Sequence, residues 1–63
     1  MNAYEITFSM FLIIDGNKIS RKNHFSNCKD IIKGDTYEEA LKAFKEKKRN
    51  EGWFVVTLKD ILR

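Results

Sequence analysis

Residues 4–18 read YEITFSMFLIIDGNK, and this stretch decides the fold. Every second side chain along it is apolar, which predicts a β-strand with one face turned towards a core. The other face begins polar but becomes apolar at two positions, Phe11 and Ile13. A strand of so small a protein is expected to have one face in water. Phe11 and Ile13 therefore need a cover that the strand itself does not supply. The predicted core side chains are Ile6, Phe8, Met10, Leu12 and Ile14.

The chain has 63 residues, which predicts a single domain, residues 1–63, with a small core and marginal stability. Its only cysteine is Cys28, so an internal disulfide is excluded and a reducing, cytoplasmic location is expected. No apolar run approaches the ~18 residues of a membrane span. There are 12 basic and 9 acidic residues, giving a net charge of +3. This mild excess keeps contact with nucleic acid open.

Asp15-Gly16-Asn17 predicts a hairpin, because Asp-Gly and Gly-Asn supply the positive φ angles of a two-residue turn. Such a turn puts Ile19 and Phe25 of the second strand on the core face. Ser20 and His24 then join Phe11 on the other face. The following segment, residues 28–34 (CKDIIKG), is ambiguous, and its two isoleucines are expected to close one end of the core.

A helix is predicted next. Thr36 with Glu39 forms a capping box, and a rival cap lies one residue earlier at Asp35. The helix is expected to end within residues 49–51, after a basic last turn and before Gly52. Its apolar stripe consists of Tyr37, Ala40, Leu41 and Phe44.

The last element is a β-rich run over residues 53–62, WFVVTLKDIL. Its wholly apolar alternate set, Phe54, Val56 and Leu58, is expected to face the core. The predicted fold is α+β with the order β-β-α-β: a three-stranded sheet in the order 2-1-3 and one helix packed on one face. A right-handed crossover makes the second and third strands parallel to each other.

One helix covers only one face of such a sheet. Phe11, Ile13, Trp53 and Val55 are then predicted to lie together on the uncovered face. Large exposed apolar patches mark interaction sites. A homodimer is expected, and the sequence leaves open whether this face is the dimer interface or the site of a different partner.

No catalytic or metal-binding set emerges from the sequence. His24 and Cys28 give an H-x3-C spacing, which falls short of the four ligands of a structural zinc site. The Asp15 carboxylate belongs to the turn, and the three glycines are too scattered to cradle a phosphate. A protein without enzymatic activity, cofactor or metal is expected.

Three short segments carry a resemblance: YEITF at residues 4–8, DG in the turn, and VTLKDIL at residues 56–62. Together with the order of elements, they resemble the small phage-encoded inhibitors of uracil-DNA glycosylase, which act as compact dimers. In that family an aromatic-Glu pair early in the helix contacts the target, and Tyr37-Glu38 matches it. Leu41 stands where the family has a second aromatic residue.

The resemblance implies a viral or mobile-element protein that blocks a host protein, namely uracil-DNA glycosylase, in the host cytoplasm. The family occludes the DNA-binding site by capturing, in a hydrophobic recess, an apolar side chain that the enzyme inserts into DNA. Either the four predicted sheet-face residues or the helix pair with Leu41 would line that recess or the dimer interface.

The alternative is a small nucleic-acid-binding or transcription-related regulator. Aromatic side chains among lysines on a sheet face are typical of surfaces that stack bases. The sequence places Phe11, His24 and Trp53 with Lys18, Lys22 and Lys59 on one such face.

Overall fold

The computed structural model describes residues 1–16 and 18–58. Both outer strands of its three-stranded sheet run antiparallel to the central first strand. This confirms the predicted α+β layout and the order 2-1-3. The last predicted strand reached residue 62, and its part beyond residue 58 lies outside the described residues. The elements are β1 (Asn2–Asp15), β2 (Lys18–Gly34), α1 (Tyr37–Asn50) and β3 (Trp53–Thr57).

The hairpin between β1 and β2 forms at the predicted turn. Asp15 pairs with Lys18, so the connection has two residues, and Gly16 has the positive φ (54°) that such a turn demands. The register shifts between Ile13 and Asp15, which leaves Ile14 out of the regular pairing. Ile14 was predicted to face the core and is exposed instead.

A β-bulge divides β2. Phe8 pairs with Cys28 and Met10 with Phe25, so β2 carries one extra residue between these pairs. Asn27 lies in this interval and has a positive φ of 56°, a conformation that asparagine tolerates better than most residues. The bulge lets Phe25 share a side of the sheet with Met10, as predicted, but Phe25 is 55% exposed and does not join the core.

Closer to the hairpin, β2 follows the prediction only in part. His24 pairs with Phe11, as expected, but Ile19 pairs with Ile13 rather than joining the core face. Ser20, expected in water, is only 7% exposed. Its hydroxyl accepts hydrogen bonds from the amides two and three residues ahead, at 3.2 and 3.1 Å. This local turn takes up the extra residues that shift Ile19.

Helix α1 begins and ends where the sequence indicates. The Thr36 hydroxyl accepts a hydrogen bond from the Glu39 amide at 3.2 Å, so Thr36, and not Asp35, is the N-cap. After the helix, the Gly52 amide donates to the Arg49 carbonyl at 2.9 Å. Gly52 adopts φ = 96°, which glycine reaches without strain.

The core lies between α1 and one face of the sheet. The ring of Phe44 meets that of Phe8 edge-on at 5.1 Å. Of the two isoleucines expected to close the core, Ile32 is 4% exposed but Ile31 is 60% exposed, because the two point to opposite faces of β2. The buried core residues are Ile6, Phe8, Ile32, Ala40 and Val55, with Tyr37, Leu41 and Phe44 of the predicted stripe packed against them.

The predicted orientation of β3 is wrong. Met10 pairs with Val55 and Phe8 with Thr57, so Val55 and Thr57 face the helix and are buried. The set expected in the core, Phe54, Val56 and Leu58, is not buried; Phe54 is 45% exposed. Both alternate sets of this strand are largely apolar. Pairing with β1, rather than hydrophobicity, therefore decides which set is buried.

Candidate functional site

The sheet surface opposite α1 is the candidate site, and we call it the open face. Cross-strand pairing defines its members, since paired residues point to the same side of a sheet. It consists of Ala3, Glu5, Thr7, Ser9, Phe11 and Ile13 from β1, Ile19, His24, Lys29, Ile31 and Lys33 from β2, and Phe54 and Val56 from β3.

Three rings lie in a row across the open face, one on each strand. His24 on β2 and Phe54 on β3 both pair with Phe11 on the central strand. The His24 and Phe11 ring centroids are 5.4 Å apart, and the ring planes are 21° from parallel. Nδ1 of His24 lies 2.9 Å from the Arg21 carbonyl oxygen. Because a carbonyl only accepts, Nδ1 donates this hydrogen bond and holds the imidazole against Phe11.

The stacking of Phe11 on His24 determines what the row offers to a ligand. One face of each ring is covered by the other ring, so a nucleobase finds fewer free ring faces there than on an open stacking platform. Phe54, at 45% exposure, extends the same apolar ridge across β3.

Charge lies at the other end of the open face. Lys29 pairs with Thr7, and Glu5 pairs with Ile31, away from the hairpin. Both charged side chains are exposed. The open face therefore has an apolar part near the hairpin and a mixed, charged part near the strand end.

The structure divides the four sheet residues that the sequence placed in one partner-binding surface. Phe11 and Ile13 lie on the open face, where they are half-buried. Val55 lies in the core on the other side of the sheet, at 5% exposure. Trp53 pairs with Leu12 on that same side, and its ring is 5.5 Å from Phe25. These four residues do not form one surface, because the register of β3 differs from the expected one.

The helix residues predicted to bind a partner lie on the covered side of the sheet. Tyr37 is half-buried and meets the Tyr4 ring edge-on at 5.7 Å. Leu41 packs against the core. Glu38 is exposed in the first turn of α1. The sheet-face and helix sets are therefore two separate surfaces, and a single flat partner contacts only one of them.

Sequence reasoning missed Phe54 and Val56 as members of the open face. Aligning the apolar residues near the end of β1 with the first residues of β3 would have paired Phe11 with Phe54. That register would have placed Phe54 and Val56 on the open face. The prediction that His24 shares the face of Phe11 is confirmed.

Within residues 1–16 and 18–58, no three His, Cys, Asp or Glu side chains are grouped so as to hold a metal ion. Cys28 is a free, half-buried thiol beside the core. In the same part of the chain, no helix is long and apolar enough to cross a membrane.

Comparison of this chain with protein-family models, with curated proteins and with solved structures finds no significant match.

Proposed function

We propose that this chain is a non-enzymatic binding protein of viral or mobile-element type that blocks a host protein through its open face. Inhibition of uracil-DNA glycosylase is the specific candidate. The row of His24, Phe11 and Phe54 carries the proposal, because it leaves an apolar ridge at the surface of a very small domain.

The energetics of the ridge favour a protein partner. Fully burying one large apolar side chain contributes roughly 1.5–3 kcal/mol. Phe54 still has nearly half of its surface in water, and Phe11 and Ile13 are half-buried beside it. A recess that takes up these side chains would gain an apolar hot spot of the kind that dominates protein interfaces. A second copy of this chain offers the same chemistry, so a homodimer through the open face is part of this proposal.

The second candidate function is nucleic-acid binding. Lys18, Arg21 and Lys22 are all exposed around the hairpin, close in sequence to the aromatic row. The last turn of α1 adds Lys47, Lys48 and Arg49. These cations favour contact with phosphates, although exposed lysines are also what keeps a small domain soluble.

A uracil-excision assay tests the first proposal. Purified protein is titrated into a glycosylase reaction on uracil-containing duplex DNA, and its mass in solution is measured on the same sample. We expect stoichiometric inhibition. Phe54→Ser should weaken it by at least about tenfold, as loss of a hot-spot residue does. Phe25→Ser is the matched control, because Phe25 is equally aromatic and exposed but shares the side of Met10.

Salt dependence separates the two candidate functions. A ligand held by 6–10 phosphate contacts loses roughly 10³–10⁵ in affinity between about 50 and 200 mM salt. An apolar ridge should lose far less over that range. Absence of inhibition, together with steeply salt-dependent binding to an oligonucleotide, would reject the protein-blocking function in favour of the nucleic-acid one. Absence of both, in a dimer that Phe54→Ser dissociates, would restrict the open face to self-association.

A further inference from the structure

The two edges of the sheet differ in how well they are protected against pairing with a further strand. β2 forms one edge and β3 the other. Natural edge strands are commonly protected by charged side chains and by β-bulges. β2 has the bulge at Asn27, and its Ile31 amide already donates to the Asp30 carboxylate at 2.8 Å. The cations along β2 are Lys18, Arg21, Lys22, Lys29 and Lys33. β2 is therefore the protected edge.

β3 has none of these protections. Its five residues, WFVVT, are uncharged and pair regularly with β1. The Ile13 amide donates to the Gly52 carbonyl at 2.9 Å, so Gly52, which precedes β3, turns its backbone groups towards β1. Backbone groups alternate in direction along an antiparallel strand. Trp53 and Val55 therefore turn their amides and carbonyls away from β1, towards the outer edge.

A groove of about 510 Å³ runs beside this edge, between β3 and α1. Trp53 and Val55 line it from the strand, and three charged side chains line it from the helix: Lys45, Glu46 and Arg49. Trp53 is only half-buried, so part of its ring is accessible in the groove. Because the helix side chains carry both signs of charge, a purely anionic or purely cationic ligand would meet a like charge. A second copy brings the same mixed set of charges.

We propose that a second copy of this chain pairs antiparallel with the outer edge of β3, about a two-fold axis that passes beside Val55. Each Val55 then exchanges both of its backbone hydrogen bonds with Val55 of the second copy. The same register sets Phe54 opposite Val56 of the second copy on the open face. An aromatic ring opposite a β-branched side chain is a favourable cross-strand pair. This register uses the whole of β3, because Val55 is its middle residue.

Pairing at β3 produces a closed dimer. Both β3 edges are used, and only the two protected β2 edges remain outside. The opposite arrangement, a dimer through β2, would bring Lys29 and Lys33 of both copies onto one ladder, and like charges in cross-strand contact are destabilising. β3 carries no charged side chain and has no such repulsion. The charge pattern therefore selects β3 as the edge for self-pairing.

The dimer enlarges the open face instead of covering it. A two-fold axis perpendicular to the sheet keeps both helices on one side and both open faces on the other. The row of His24, Phe11 and Phe54 then continues onto Val56 of the second copy, so the partner surface is built from two chains. This inference does not depend on which protein the open face binds. It also differs from a dimer in which two open faces pack together.

Mixed-label NMR tests the register. Labelled and unlabelled protein are mixed in equal amounts, contacts between copies are selected by isotope filtering, and the mass in solution is measured on the same sample. We expect a dimer in which the α-hydrogen of Phe54 contacts that of Val56 of the second copy, because such facing residues have Cα atoms about 4.5 Å apart. A chain that stays monomeric at millimolar concentration would overturn the proposal. Contacts between the Phe11 rings of two copies, without the Phe54–Val56 contact, would overturn it in favour of packing between open faces.

Methylation of one backbone nitrogen tests the edge without changing a side chain. N-methylation of Val55, introduced by chemical synthesis, removes the outward amide donor and leaves the pairing with β1 in place. We expect the dissociation constant of the dimer to rise at least about tenfold, because symmetry-related hydrogen bonds are lost in both copies. Circular dichroism checks that the methylated chain is folded. If it does not fold, the contacts between copies of the unmodified chain decide.

N-methylation of Lys33 is the matched control. Lys33 pairs with Ala3, which like Ile13 turns its backbone groups towards the β3 side, so the Lys33 amide also points outwards, but at the β2 edge. This control should dimerise as the unmodified chain does. Dissociation of both methylated chains, or of neither, would contradict pairing through β3. The uracil-excision assay is read separately, because a folded monomer can still inhibit and a dimer can fail to inhibit.

Discussion

The two faces of the sheet are built from the same strands and both carry large apolar side chains, yet only one of them is closed. On the covered face, Phe8 and Val55 are buried beneath α1. On the open face, Phe11 lies three residues after Phe8 and Phe54 lies next to Val55, and both remain partly in water. Only the covered face has a helix packed on it. A chain with one amphipathic helix closes one face, and apolar residues on the other face become a surface available to partners.

Even the covered face is closed only in part. Both β1 and α1 have 14 residues. At 1.5 Å per residue the helix is about 21 Å long, whereas the molecule extends 34 Å along its longest axis. The helix is therefore shorter than the sheet that it covers. Phe25, on the helix side of the sheet, is 55% exposed, and its ring lies 5.5 Å from that of Trp53.

The largest expected effect is on the covered face. Phe8→Ala should lower the free energy of unfolding by about 3–5 kcal/mol, because it removes a buried ring that packs on Phe44 and leaves a cavity. A domain of this size has roughly 3–9 kcal/mol in total, at 0.05–0.15 kcal/mol per residue, so the variant should lose a large share of its stability and unfold outright if the total lies near the lower value. Urea denaturation followed by circular dichroism measures the change. A loss below about 1 kcal/mol would mean that the face is not closed as described.

A smaller loss is expected where β2 meets the helix. A Cβ on Gly34 would stand 2.9 Å from the Ala40 Cβ and 3.0 Å from the Ala40 backbone. Gly34→Ala should therefore push α1 away from the sheet and cost about 1–3 kcal/mol, by the same denaturation measurement. Adding Ala40→Gly should recover only part of this loss, since the backbone contact stays. Full stability in Gly34→Ala alone would show that the helix is held less closely over the covered face.

The smallest effect on stability is expected on the open face. Phe54→Ser should lower the free energy of unfolding by only about 1 kcal/mol, because its side chain lies partly in water and outside the core and loses mainly the cross-strand pair with Phe11. The same variant should bind its partner more weakly. Measuring both its stability and its binding shows whether the loss of binding is due to unfolding. If Phe54→Ser unfolded the isolated monomer as Phe8→Ala does, the two faces would not differ in the way described.

Most of the fold could be predicted because local signals and global layout agree. The turn needs Gly16, and the helix start needs the hydroxyl of Thr36, both of which the sequence shows directly. The β-β-α-β order then follows from the single helical segment between strands. The orientation of β3 could not be predicted in the same way. Its two alternate sets are both largely apolar, and only the pairing of Val55 with Met10 selects the buried one.

The candidate site was likewise predicted correctly at one position and wrongly at others. Phe11 was recognised because it breaks the polar pattern of β1, and that position lies on the open face. Trp53 and Val55 were assigned to the same surface through the orientation of β3, and they lie on the other side. Ile19 was misplaced because the Ser20 turn inserts residues that no short-range pattern announces.

The bulge at Asn27 has a consequence for the protein in a crowded cell. A long, straight edge strand is a template on which further chains can stack into fibrils. β2 is 17 residues long and lies at an edge, so an uninterrupted version would be such a template. Deleting Asn27 would restore regular pairing on both sides of it without moving Cys28 or Phe25 to another face. We expect the shortened chain to keep its fold and to aggregate more readily. The extra residue would then act by interrupting the edge strand on which other chains could pair.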